Sequence, residues 1–182
     1  HAYDAQIVLE KVVPVALNVA PQQLQDESLP AHLQALLDEH GLSAADLEIE
    51  ITEGSLVEPV EVASRVLHAL DHMGMAIALD DFGTGFSSLG QIRQFPISKL
   101  KIDKSFVNDL RSSKDVGVIV TSIITLAHNL SMTVVAEGVE LLDQLVYLKT
   151  AGCDEVQGYY LSRPLPASGA ARLLHQTHLM PE

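Results

Sequence analysis

Residues 99–103 read Lys-Leu-Lys-Ile-Asp. Side chains alternate across an extended strand, so Lys99, Lys101 and Asp103 share one face while Leu100 and Ile102 share the other. The same division recurs on both sides of this stretch. In Leu47-Glu48-Ile49-Glu50-Ile51 one face is aliphatic and the other acidic. In Ala76-Ile77-Ala78-Leu79-Asp80, Ile77 and Leu79 oppose Ala76, Ala78 and Asp80. Ala16 and Asn18 oppose Val15, Leu17 and Val19, Thr133, Val135 and Glu137 share a face, and so do Glu155 and Gln157. An open doubly wound sheet buries both faces and favours near-continuous apolar strands. A closed (β/α) barrel explains the pattern better, with aliphatic side chains turned outward to helices and polar ones inward. Barrel enzymes build their sites at the C-terminal strand ends. Asn18, Glu50, Asp80, Lys101, Glu137 and Gln157 all fall at or near such ends.

The wider pattern agrees. Strand-like runs lie near 14–19, 47–52, 75–80, 98–102, 132–137 and 154–157, and helical patterns cover roughly 4–12, 29–39, 59–73, 114–129, 140–150 and 167–177. Alternating strands and helices imply βαβ units and a parallel sheet. No low-complexity tract or linker interrupts them, so residues 1–182 are read as one domain.

Composition narrows the function. The 182 residues are 47% hydrophobic and 19% charged, as in soluble globular proteins. No apolar run approaches the roughly 20 residues of a membrane span. The start of the sequence carries no signal segment, and Cys153 is the single cysteine; both point to the cytoplasm. A net charge of -13 argues against a nucleic-acid polymer as partner. It leaves a small phosphate substrate open, because carboxylates can hold metal ions that present positive charge to phosphate.

The densest chemical signal is Asp80-Asp81-Phe82-Gly83-Thr84-Gly85-Phe86-Ser87-Ser88, directly after a strand. Two adjacent carboxylates there suit hard cations; the plain alternative is an acidic turn capping the next helix. Glu50 is a plausible ligand on the same inward face, with Glu48 and Glu53 as neighbours that the sequence separates poorly. Asn18 is either a turn residue or an amide-oxygen ligand for Mg²⁺ or Mn²⁺. Lys101 either balances charge or stabilises phosphate in a hydrolytic site. Glu137 and Glu140 add carboxylates at another strand end, and Gln157 and Arg163 complete the rim. Most of the eight histidines, such as His32, His68 and His72, are read as exposed residues of helices, and none as part of a His-x-x-x-His pair or a Cys/His cluster, so a zinc site is not expected.

Six ordered runs, LEIEITEG, ALDDFGTGFSSL, LKIDKSFV, VVAEGVE, GCDEVQGYYLSRPLP and the weaker ALNVAPQQL, resemble the successive motifs of EAL domains. The resemblance spans nearly the whole chain. It implies a (β/α)8 TIM-like barrel that hydrolyses cyclic di-GMP to pGpG with two Mg²⁺ or Mn²⁺ ions. By the same resemblance Asn18, Glu50, Asp80, Asp81 and Glu137 serve the metals, with Asp80 bridging. Lys101 positions the hydrolytic water, Gln157 holds the metal–water cluster, and Glu140 anchors the Asp80–Ser88 loop. Asp81, Gln157 and Arg163 are read as substrate contacts. A homodimer, flanking sensor or GGDEF-type domains, and membrane anchoring through other domains are further implications. The rival reading is a catalytically inactive cyclic di-GMP receptor.

Two departures qualify the match. Ala20 stands where the family more often has a hydroxyl, and no Glu-Ala-Leu motif precedes Asn18. About six strands are readable where a barrel needs eight. The barrel is therefore expected to be incomplete at the N-terminus of this chain, with no backbone ladder joining the Asn18 and Gln157 strands.

Overall fold

Six parallel strands follow one another in space in the order they occur in the chain. They are β1 (Val15–Asn18), β2 (Leu47–Thr52), β3 (Ala76–Phe82), β4 (Lys99–Ile102), β5 (Thr133–Ala136) and β6 (Glu155–Val156) in a computed structural model that describes residues 14–56, 60–83, 89–112 and 114–174. Each strand pairs in parallel with the next, so the strand order never reverses. A doubly wound sheet has a reversal point; a (β/α) barrel does not. Among the described residues β1 and β6 are the two edges, and no ladder joins them.

The helices between the strands are α1 (Leu29–His40), α2 (Val60–His72), α3 (Leu89–Ile92), α4 (Lys104–Asp109), α5 (Lys114–Asn129), α6 (Leu142–Thr150) and α7 (Ala167–Leu174). The helix expected over 4–12 lies outside the described residues. Helices α3 and α4 are not among the helical patterns expected from the sequence, because they are too short to show a period of 3.6 residues. The start of α4 has a local cause. Asp103 is its N-cap, and its carboxylate accepts a bond of 2.9 Å from the Ser105 amide.

The aliphatic faces form the core. Ile49, Ile77, Leu79, Leu100, Ile102 and Val134 are essentially without solvent exposure. They join one cluster with Leu67 and Leu70 of α2, Val120 and Ile124 of α5, and Leu148 of α6. Each such side chain contributes about 1.5–3 kcal/mol on burial, so the outward face holds the helices to the sheet. The opposite face is polar, in two tiers set by Lys99 and Lys101. Lys99 Nζ lies 2.7 Å from Glu48 and 3.3 Å from Glu155 on the polar side of the sheet. At the β1 edge Val15 and Leu17 are 40% and 39% exposed. Among the described residues no helix is long and apolar enough to cross a membrane.

Candidate active site

Lys101 stands at the centre of the upper tier. It is 5% exposed, and its ammonium lies 2.6 Å from Glu50 Oε1, 2.7 Å from Glu137 Oε1 and 3.2 Å from Asp80 Oδ1. Strands β2, β3, β4 and the exit of β5 each supply one member. Glu48 belongs to the lower tier with Lys99, and Glu53 is buried in a short 3₁₀ turn after β2. Of the three candidate glutamates, Glu50 is thus the one that meets Lys101.

The position of Asp81 depends on a break in the β3–β4 ladder. Leu79 pairs with Leu100 and Phe82 with Ile102, so Asp80 and Asp81 together face the single residue Lys101. This is a β-bulge. In a regular strand the two carboxylates would point to opposite faces. Here Asp81 takes a left-handed backbone, φ 54°, a region that Asp tolerates better than most residues. Its amide donates to Asp80 Oδ1 at 3.0 Å. As a result Asp80, Asp81 and Glu137 each offer a carboxylate oxygen within 4.8 Å of the other two.

The electrostatics of this group are unbalanced. Glu50, Asp80, Asp81 and Glu137 surround one lysine, leaving three formal negative charges uncompensated. Burial pushes the Glu137 carboxyl up; the Lys101 bond opposes this, and the charges of Asp80 and Glu50 add to it. Asp81 is raised by burial, then by Asp80 and Asp103. Burial alone would lower the Lys101 ammonium, but hydrogen bonds to Glu137 and Glu50 outweigh it and hold it above its usual value. Lys101 is therefore a donor at neutral pH and not a proton acceptor. Asp103 contacts Asp81, yet bonds from Ser105 overcome its burial and keep it below the usual carboxylate range. The sequence motifs do not single it out as a site residue, although the Lys99–Lys101–Asp103 alternation marks the shared face.

Glu137 leaves β5 through Gly138, whose φ is +71°. A Cβ at Gly138 would sit 2.5 Å from Lys104 Cβ, so only glycine lets this turn pass over the start of α4.

The remaining residues expected at the site make local contacts of their own. Asn18 is exposed on the edge strand, in register with Glu50. Glu140 is exposed, and its amide donates to Gln144 Oε1 at 2.9 Å. Its expected loop contact involves 84–88, which lie outside the described residues. Gln157 is exposed, and its amide donates to Ala136 O at 2.8 Å. Arg163 stacks over the Tyr159 ring at 4.9 Å. Of these four only Glu140 carries a carboxylate, and it is not in the group formed by Asp80, Asp81 and Glu137. A cavity of about 680 Å³ lies elsewhere, lined by Leu110, Val118, Thr121 and Tyr147 near α5 and α6.

The expectation that the histidines form no His-x-x-x-His pair is wrong. His68-Ala69-Leu70-Asp71-His72 is such a pair, and His68, Asp71 and His72 each offer a ligand atom within 4.8 Å of the others. Three exposed polar residues on an amphipathic helix read as its solvated face, which hides the spacing.

The chain matches the EAL domain family over residues 3–164. It belongs to that family. Relatives of this EAL chain include the cyclic di-GMP phosphodiesterase NbdA of Pseudomonas aeruginosa, 39% identical over 160 residues that cover 88% of the chain and 20% of NbdA. Another is the cyclic di-GMP phosphodiesterase PdeR of Escherichia coli, 36% identical over 84% of the chain and 23% of PdeR. The chain spans about a fifth of the length of the curated relatives it matches. Among solved structures, the EAL domain of Mycobacterium smegmatis DcpA aligns with TM-score 0.87 and 35% identity over 94% of this chain and 77% of that one. A manganese and cyclic di-GMP complex of Klebsiella pneumoniae BlrP1 aligns with TM-score 0.80 and 34% identity over 90% and 42%.

Proposed function

We propose that this EAL chain is part of a divalent-metal-dependent phosphodiesterase that hydrolyses cyclic di-GMP to pGpG. One observation carries the reading: Glu50, Asp80 and Glu137 contact one buried lysine, and with Asp81 beside them they leave an excess of negative charge that bound cations would neutralise. The donors are all oxygen, which suits Mg²⁺ or Mn²⁺. Asp80, Asp81 and Glu137 would hold the ions, with Glu50 and Asn18 completing the set from β2 and β1. Bound there, such ions would supply Lewis-acid charge to a phosphoryl oxygen and an acidified water.

The chain's own residues do the rest. Lys101, kept protonated by Glu50 and Glu137, donates toward the water or the phosphate and stabilises charge that develops in the transition state. Asp80 and Asp81, turned to one side by the bulge, set the spacing of the oxygens. Gln157 and Arg163 would contact the dinucleotide, and Glu140 would hold the loop that follows β3. Among the relatives, MucR of P. aeruginosa is a bifunctional diguanylate cyclase and phosphodiesterase, which supports flanking GGDEF-type domains. A homodimer and a cytoplasmic location belong to the same reading.

The test is product analysis with cyclic di-GMP in a protein carrying this chain. Linear pGpG should form with Mg²⁺ or Mn²⁺ and not in EDTA. Asp80→Asn should abolish it, and Lys101→Ala should lower kcat strongly with little change in KM. Binding of cyclic di-GMP without any pGpG would favour the receptor reading. Equal turnover in EDTA would exclude the metal mechanism.

A further inference from the structure

We propose that His68, Asp71 and His72 form a second metal site, one for a borderline divalent cation such as Zn²⁺, Ni²⁺ or Cu²⁺. The three residues occupy the last turn of α2, at positions i, i+3 and i+4, which fall on one helix face. Each offers a ligand atom within 4.8 Å of the other two, and all three side chains are exposed.

A second observation concerns how the rings are held. His72 Nδ1 lies 2.6 Å from the His68 carbonyl, and His68 Nε2 lies 3.3 Å from the Gln94 carbonyl. In a neutral imidazole the nitrogen facing a carbonyl carries the proton, so the other nitrogen keeps its lone pair. His72 then presents Nε2 and His68 presents Nδ1. Backbone carbonyls fix the tautomers of metal-binding histidines in the same way. The position adds to this: His72 ends α2, where the carbonyl-rich helix terminus favours a cation.

The donor set separates this site from the acidic centre. Two imidazoles and one carboxylate suit borderline metals, whereas the all-oxygen centre suits hard ones. The two sites also lie at opposite ends of the sheet. α2 leads through a short turn into Ala76 at the start of β3, while Asp80 lies near its end. At 3.3 Å per residue, these positions are separated by about 13 Å along the strand. With one bond reaching Gln94, a bound ion would tie the end of α2 to the segment that precedes β4. The site is independent of the proposed hydrolytic activity.

Zn²⁺ titration against a chromophoric competitor, with the acidic centre saturated by Mg²⁺, tests the assignment. The protein should bind one Zn²⁺ equivalent. His68→Gln and His72→Gln should each weaken binding at least roughly tenfold, as loss of even an outer-shell partner commonly does. Asp80→Asn should leave Zn²⁺ affinity unchanged. The imidazole NMR signals of His68 and His72 in the unsubstituted protein give a second readout and should move with the first equivalent. No Zn²⁺ uptake, unchanged affinity in the double His68→Gln, His72→Gln variant, signals that stay still, or an equal loss in Asp80→Asn would each overturn the site.

Discussion

Replacing Lys101 with Met keeps most of the stem volume and removes the ammonium. In the metal-free protein this leaves Glu50, Asp80 and Glu137 facing one another without their shared cation. The side chains of Lys101, Glu50, Asp80 and Glu137 are 7%, 10%, 15% and 20% exposed, so solvent screens them little. Breaking a buried ion pair by removing one partner costs about 3–5 kcal/mol. In a domain of this size each kcal/mol moves Tm by roughly 2–4 °C, so the variant should melt roughly 6–20 °C below wild type in EDTA. The deficit should depend on pH. Glu137 already has a raised carboxyl, and loss of Lys101 raises it further. A raised acid favours the folded state at low pH and penalises it as pH climbs above the ordinary carboxylate value. The gap should therefore be widest near neutrality and narrow toward pH 5. Mg²⁺ should restore much of the loss, because the cation replaces the missing charge. Thermal melts at both pH values, with EDTA or Mg²⁺, measure all of this. A variant melting within about 2 °C of wild type at neutral pH in EDTA would refute the charge-compensation argument.

Asp81→Val should cost at least about 1–2 kcal/mol more than Asp81→Gly, since both lose the carboxylate but only Val is strained at φ 54°; equal melting of the two would mean that the bulge does not hold that backbone. Gly138→Ala should destabilise by more than about 1 kcal/mol, and its Tm should recover in part with Lys104→Gly, which removes the clashing Cβ. Asp154 accepts bonds from the Val134 amide and His128 Nε2, both at 2.8 Å, and these hold it below the usual carboxylate value. A lowered acid stabilises the fold above the unfolded value and loses that effect as pH falls through the folded one. Asp154→Ala should thus cost about 0.5 kcal/mol near neutrality, because its side chain is 41% exposed and screened by solvent, and less once both forms are protonated, as melts across acid pH would show.

The alternation in Lys99–Asp103 was enough to place the charged side chains on one face, and the ion pairs of both tiers follow it. Strand positions were legible because a parallel barrel strand writes its two faces directly into the sequence. Asp81 was not legible in the same way. Alternation puts it opposite Asp80, and only a left-handed residue, which no period reveals, turns both to one side. The choice among Glu48, Glu50 and Glu53 likewise needed the cross-strand register, because it rests on which lysine each one meets. Asp103 was visible on the shared face but also serves as a helix cap, and its contact with Asp81 depends on the bulge. The pair His68 and His72 was present in the letters and lost against an otherwise ordinary amphipathic helix.

The bulge also limits how this segment can vary over generations. Deleting one residue at 80 or 81 would restore a regular ladder to β3 and β4. Phe82, 9% exposed in the core, would stay opposite Ile102, but only one carboxylate would be left facing Lys101. Inserting one residue instead would shift Phe82 by one position and turn it toward the acidic side. A single-codon length change here therefore always disturbs the carboxylate geometry, whereas a point substitution can leave it intact. Descendants of this sequence should accordingly differ in residue identity along 76–83 far more readily than in its length.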